Sequence, residues 1–339
     1  MDQLRKLSTR DCEAAMMKFL RNHYWNIGLA TIFILLLVFT RTIQPNYGAF
    51  GFESLSRAAL TFAFATAAQV VVVIAGGIDL SIASMMAVTS VTAAVMMDGA
   101  SEQYALFVVP FVLLVGAGMG AINGLLIVLT RVPDIVVTLA MLFVWEGVAL
   151  IILNAPGGGA AEWLKNLLVG SISIPAVPED LTRWVPQALI LLIVSLGIVW
   201  WPFRRSRFGL SVYAIGSSSL AAFRSGVAVS RTKIAAYAMA GLFAAMGGLV
   251  LTASTGIGAP IPGPYLLASV AAVVLGGVTL GGGRGGLVGP IIAVFILRLV
   301  RTDLTLMSVD PNITTIVEGT IMVIVVMAGG LLAARARKR

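Results

Sequence analysis

Between Lys233 and Arg284 the chain runs for 50 residues without a charged side chain. As one helix that run would measure about 75 Å, more than twice the roughly 30 Å hydrocarbon core of a bilayer. It must cross, turn back and cross again, and Gly256, Gly258, Pro260, Pro262 and Pro264 mark the turn. The rest of the chain agrees. Of its 339 residues 59% are apolar and 11% are charged, whereas soluble domains carry about 25% charged residues. A chain so poor in charge cannot cover itself with water-compatible surface.

The expected fold class is all-α, a polytopic membrane protein with about ten transmembrane helices. The first span runs from Trp25 to Thr40, the second from Ala58 to Ala75 and the third from Ser81 to Met97. Tyr104 to Thr130 and Ile135 to Leu153 are the fourth and fifth, and Val185 to Phe203 is the sixth. The long uncharged run holds a seventh span, ending near Thr255, and an eighth from Tyr265. Gly285 to Val300 and Asn312 to Ala334 complete the set. Basic residues flank these runs at Arg5 to Arg21, Arg204 to Lys233 and Arg335 to Arg339. That is the positive-inside pattern, so both termini and the 204–233 loop are expected in the cytoplasm and the 154–186 loop outside. Residues 1–24 form an N-terminal flank, 25–334 one transmembrane domain and 335–339 a basic tail. Spans two to five and seven to ten lie five crossings apart, an odd offset that makes them an inverted repeat, a common transporter plan. Ala160 to Leu168 reads as a short amphipathic helix at the outer face.

The net charge of +8 does not indicate nucleic acid, because it sits on the flanks of apolar runs. Cys12 and His23 are the only cysteine and histidine, which leaves no disulfide or cysteine-based metal site within the chain. No nucleophile–base set converges, so an integral membrane enzyme finds no support. Gly76-Gly77-Ile-Asp79-Leu-Ser81 breaks one apolar stretch, with Asp79 or Ser81 placed to cap the helix that follows. Gly281-Gly282-Gly-Arg284 makes a matching break in the second half. It lacks the lysine and Ser/Thr ending of a nucleotide P-loop, so the chain is not expected to bind ATP by that route itself, and no cofactor of its own is expected. Phe62, Phe64, Gln69, Asn123, Trp145 and Glu146 lie within apolar spans and offer amides, an acid and aromatic faces to a solute pathway. Glu146 and Glu318 are also the two acids a proton-driven carrier would need. In the basic loop, Ser218 or Ser219 can cap a small helix that Gly226 ends. Leu220 and Phe223 form its apolar ridge, and Ala221 and Ala222 keep one side small.

With these strings in view the chain resembles the permease subunit of ribose-type ABC sugar importers. The similarity runs from about residue 55 to 330. It rests on Gly76-Gly-Ile-Asp-Leu-Ser81, Asn123-Gly-Leu-Leu and Val132-Pro-Asp-Ile-Val-Val-Thr-Leu139, together with Arg207-Phe-Gly-Leu-Ser-Val-Tyr-Ala-Ile-Gly216 and the string Ala271 to Gly286. The resemblance implies an all-helical half of an importer in the bacterial inner membrane. It pairs with a second permease, cytoplasmic ATPases and an extracytoplasmic substrate-binding protein, and its coupling helix falls at Ser218 to Ser225. The expected solute is a small carbohydrate. The same scaffold could carry a branched-chain amino acid, an autoinducer or a nucleoside, and Glu146 with Glu318 keeps a proton-driven transporter open.

Overall fold

The computed structural model describes residues 24–170, 182, 184–261 and 263–337, with no side-chain placement for residue 326 or beyond 327. The flank holding Cys12 and His23, the acidic loop positions Glu179 and Asp180, and the end of the basic tail lie outside the described residues. Among those described, helices carry the architecture and no strand occurs; a single antiparallel bridge joins Gly157 and Gly258. The first helices are α1 (Tyr24–Ile43), α2 (Ala49–Ile74), α3 (Ile82–Met97), α4 (Glu102–Thr130) and α5 (Asp134–Ile152). A short α6 (Glu162–Asn166) precedes α7 (Gln187–Arg205), α8 (Arg207–Ser217) and α9 (Ser219–Arg224). The last four are α10 (Val229–Thr255), α11 (Tyr265–Leu275), α12 (Val288–Leu306) and α13 (Pro311–Arg337).

Ten of these helices coincide with the ten expected spans. By length and composition six are sufficient to cross a membrane alone: α1, α2, α4, α5, α7 and α10. Helices α3 and α11 are shorter, at 16 and 11 residues, and each adjoins a glycine break. The eighth span stops at Leu275, and the ninth starts at Val288 rather than Gly285. The reason is local: Gly277, Gly282, Gly283 and Gly285 all have positive φ, which a continuing helix cannot contain. The basic segment also holds more helix than the one small element expected. Its apolar residues at Val212 and Ile215 bury one side of α8. The outer amphipathic helix is five residues long, with Leu164 turned inward.

Helix α2 is the axis. It is buried at every position from Ala59 to Ile74, which explains why it is apolar all round rather than striped. Helix α10 lies on α2, α3 and α4. Its closest approach is to α4, where Gly116, Gly120 and Gly124 recur every fourth residue. A Cβ on Gly120 would overlap the Tyr237 carbonyl, and one on Gly241 would overlap that of Gly116. Small residues at this spacing let two backbones touch where lipid supplies no hydrophobic drive.

The contacts have a twofold logic. When α2 is exchanged with α10, α3 with α11, α4 with α12 and α5 with α13, the contact of α3 with α10 becomes that of α11 with α2. Likewise α4–α10 becomes α12–α2, α3–α5 becomes α11–α13, α3–α4 becomes α11–α12 and α4–α5 becomes α12–α13, and all of these pairs are in contact. This is the packing of the expected repeat. The two glycine breaks are not its equivalent positions, however. The break after α2 corresponds to the turn after α10, and the break after α11 to the turn after α3. What repeats is a junction. At one end of the bundle the ends of α2 and α11 meet. At the other, Gly258 after α10 lies against Ala94 of α3, beside the Gly157–Gly258 bridge.

Candidate functional site

The junction of α2 and α11 is built from backbone. Helix α2 closes with the Gly76 N–H donating to the Val73 carbonyl and the Gly77 N–H to that of Val72, both at 3.0 Å. Helix α11 closes the same way, Gly277 to Val274 and Val278 to Val273. In each case a glycine with positive φ, Gly76 or Gly277, supplies the left-handed residue this cap requires. The Gly283 N–H then donates to the Ile74 carbonyl at 2.9 Å, joining the two breaks directly. Into the same point comes Gly216, from the end of α8. A Cβ there would overlap the Ile74 carbonyl and stand 2.6 Å from the Gly283 nitrogen. A Cβ on Gly282 would stand 2.7 Å from the Gly216 carbonyl oxygen and 2.8 Å from the Gly76 Cα. Three backbone segments therefore share one contact. The Tyr213 hydroxyl adds a bond to the Gly285 carbonyl at 2.9 Å. Burial raises the pKa of Tyr213 against a smaller lowering by Arg204, so the phenol remains a donor. Arg284 is exposed at the edge.

Two residues after Gly216 begins α9. The Ser218 hydroxyl accepts from the Ala221 N–H at 3.2 Å and caps it, while Ser219 is its first helical residue. Its end is a Schellman closure: Gly226 donates to Phe223 and Val227 to Ala222, both at 3.0 Å, and Gly226 has φ 84°. Ala222 is buried and Ala221 is not. Leu220 and Phe223 are 60% and 68% exposed. The ridge is thus turned away from the protein, on a rigid two-capped helix fixed to the glycine junction.

Above the break lies a buried relay. Trp145 Nε1 donates to Asn123 Oδ1 at 3.1 Å, Asn123 Nδ2 to Ser81 Oγ at 2.7 Å, and Ser81 Oγ to Asp79 Oδ1 at 2.6 Å. The Ser81 N–H also donates to Asp79, so Asp79 is the side chain that closes the turn into α3. Its second oxygen is buried with no hydrogen-bond partner among the described residues. Thr138 of α5 ties to the same loop through the Leu80 N–H and the Ile78 carbonyl. One helical turn before Thr138, Asp134 pairs with Lys233 at 2.7 Å and accepts from the Tyr237 hydroxyl at 2.8 Å. Gly77 makes room for this: its Cβ would overlap the Asp134 carboxylate.

The other pathway candidates are dispersed. Phe62 lines a small cleft between α2, α11, α12 and α13. There the Arg298 guanidinium lies 5.2 Å from the Phe62 ring and 5.7 Å from that of Tyr265. Glu318 lines the cleft too, held by Arg301 at 3.1 Å. Phe64, Gln69, Asn123, Trp145 and Glu146 do not reach it. Phe64 packs near Gly247 of α10. Gln69 is fully buried, and both ends of its amide lack a partner among the described residues. Glu146 is half-buried on α5.

Sequence reading did not find Gly216, Asp134, Lys233, Tyr237, Arg298 or Arg301. Gly216 was visible only as the boundary of the small helix. Asp134 is the first residue of α5 and Lys233 the fifth of α10, and a charge near the start of a long apolar helix was the available signal. Arg301 lay just beyond the end assigned to the ninth span, so Glu318 lacked a visible cation.

The sequence pattern of the family described as "Branched-chain amino acid transport system / permease component" matches residues 50–326. The chain is 29% identical over 297 residues to the ribose import permease protein RbsC of Escherichia coli K12, which covers 87% of this chain and 90% of that one. It is 30% identical over 259 residues to the protein of the same name from Bacillus subtilis strain 168, covering 76% and 77%. It is 27% identical over 306 residues to the autoinducer 2 import system permease protein LsrD of Escherichia coli K12, covering 89% and 91%. No solved structure matches the chain.

Proposed function

The chain belongs to the family of permease components of branched-chain amino acid transport systems, and from that premise we propose that it is the translocation subunit of an ATP-driven importer for a small carbohydrate. The solute class rests on the relatives imported-solute names, ribose and autoinducer 2. The drive rests on one observation: a capped helix with an exposed apolar ridge, α9, continues from a junction where both glycine breaks meet. A ridge of this kind gains stability only if a partner buries it. A cytoplasmic ATPase is the partner proposed, and it supplies the ATP site. This orients α8, α9 and both termini towards the cytoplasm of a bacterial inner membrane, with the Gly157–Gly258 end outside. A second permease chain and an extracytoplasmic binding protein complete the assembly. Motion of α9 then reaches the ends of α2 and α11 through backbone contact alone.

The solute would move past the polar groups the structure leaves on both sides of α2. The Trp145–Asn123–Ser81–Asp79 relay lies towards the inner end and the Arg298, Arg301 and Glu318 cleft towards the outer. The unpartnered amide of Gln69 lies between.

The test is uptake into proteoliposomes holding the permease, its ATPase and its binding protein. Labelled pentose or hexose should enter only with ATP inside the coupling compartment and binding protein on the opposite side. Uptake driven by a proton gradient without ATP would contradict the reading.

A further inference from the structure

An open groove runs along α7 between α1 and α12, lined by Phe33, Ile193, Gly197, Trp201, Ile291 and Phe295 among other apolar residues. It follows α7 from Leu189 to Trp201, about 18 Å of helix. That is close to one leaflet's share, about 15 Å, of a hydrocarbon core. The groove wall is apolar, so water in it would find almost no hydrogen-bond partner; an alkyl chain fits it in chemistry and length.

One end of the groove is basic. Trp201 lines the groove and carries the Arg205 guanidinium 4.3 Å from its ring centroid. Arg204 and Arg205 lie three and four residues after Trp201, on the same face of α7, and Arg207 follows. All three are exposed. No acidic residue occurs between Asp180 and Asp303, so this stretch has no carboxylate of its own to offset them. An acyl-length apolar slot ending in arginines that have no ion-pair partner among the described residues is complementary to one kind of molecule. We propose that this groove binds an anionic phospholipid, with one acyl chain along α7 and its phosphate against Arg204 and Arg205. The amphipathic Trp201 sits where tail meets headgroup, as interfacial tryptophans do. Basic clusters at such a boundary attract anionic headgroups. The inference rests on the membrane placement of the helices and is independent of the solute.

Native mass spectrometry of the delipidated protein, titrated with dipalmitoyl phosphatidylglycerol or phosphatidylcholine, tests it. Phosphatidylglycerol should be retained in preference by on the order of tenfold. The double variant Arg204→Gln/Arg205→Gln should lower its retention to the phosphatidylcholine level. Gly197 has open space where a side chain would stand, so Gly197→Phe should fold normally, fill the slot and reduce retention of both lipids. Equal retention of the two lipids by the native protein would overturn the proposal. So would a preference unchanged by the arginine variants, or retention unchanged by Gly197→Phe. A disulfide between copies carrying Ile193→Cys in a Cys12→Ser background would show a second copy, not lipid, in the groove, and would overturn it too.

Discussion

Gly216 has no freedom at all, although its φ is ordinary. Its constraint is contact: the carbonyl of Ile74 and the nitrogen of Gly283 occupy the place of a side chain. Backbone cannot rotate aside as a side chain can, so Gly216→Ala should separate α8 from both breaks. We expect a loss of at least ~3 kcal/mol, the upper part of the range for overpacking, read as a lower unfolding temperature in detergent together with loss of transport. Gly118→Ala is the matched control. Gly118 lies within α4 with nothing near its missing Cβ, so alanine there should leave stability unchanged or raise it by about 0.4–1 kcal/mol. Gly76, Gly77, Gly281 and Gly282 were legible in the sequence because paired glycines interrupt apolar runs. Gly216 was not, because its partners lie in segments far apart in the chain. The same holds for Asn123 and Trp145: each is an ordinary polar residue in a span until Ser81 brings them into one relay.

The element whose attachment matters most is the start of α10. Lys233 and Tyr237 hold Asp134, and through it the start of α5, beside Gly77. Removing one member of a largely buried pair leaves the other charge without compensation. Asp134→Asn should therefore cost about 1–3 kcal/mol. The double variant Asp134→Asn/Lys233→Met should cost less than the sum of the two single changes, since the sites are in contact. Additive losses in thermal unfolding would show that the pair is not coupled. Helix α9 offers a second case. Ser218 is its N-cap, and Ser218→Ala should cost about 1 kcal/mol, enough to matter in a helix of six residues. Its caps, Ser218 and Gly226, could be read directly, since capping chemistry is local. The existence of α8 could not be read from charge, because Arg204, Arg205 and Arg207 around its start mark it as a loop while Val212 and Ile215 are buried on its other face.

Across the whole molecule, the order of the apolar helices was legible from the lengths of uncharged runs, because bilayer thickness bounds those lengths, and the repeat was legible from their five-helix offset. The meeting of the two glycine breaks was not. They sit on the same end of the bundle and meet there, and only the packing of α2 with α11 reveals it. The topology has its own check. With Cys12→Ser as background, Ser225→Cys should resist an impermeant thiol reagent in intact cells while Asn154→Cys reacts, both positions being exposed. Reaction at position 225 would reverse the orientation. The central claim is that α9 carries work from a partner ATPase to the glycine junction. It is tested most directly by ATP hydrolysis and solute uptake in the reconstituted complex carrying Leu220→Asp and Phe223→Asp. These side chains project outward, so the variant should still insert and fold. The expected result is loss of the ATPase on purification, or hydrolysis that no longer responds to loaded binding protein, with uptake lowered at least tenfold, about 1.4 kcal/mol of coupling. A complex that stays intact, with solute-stimulated hydrolysis and uptake both unchanged, would contradict the claim.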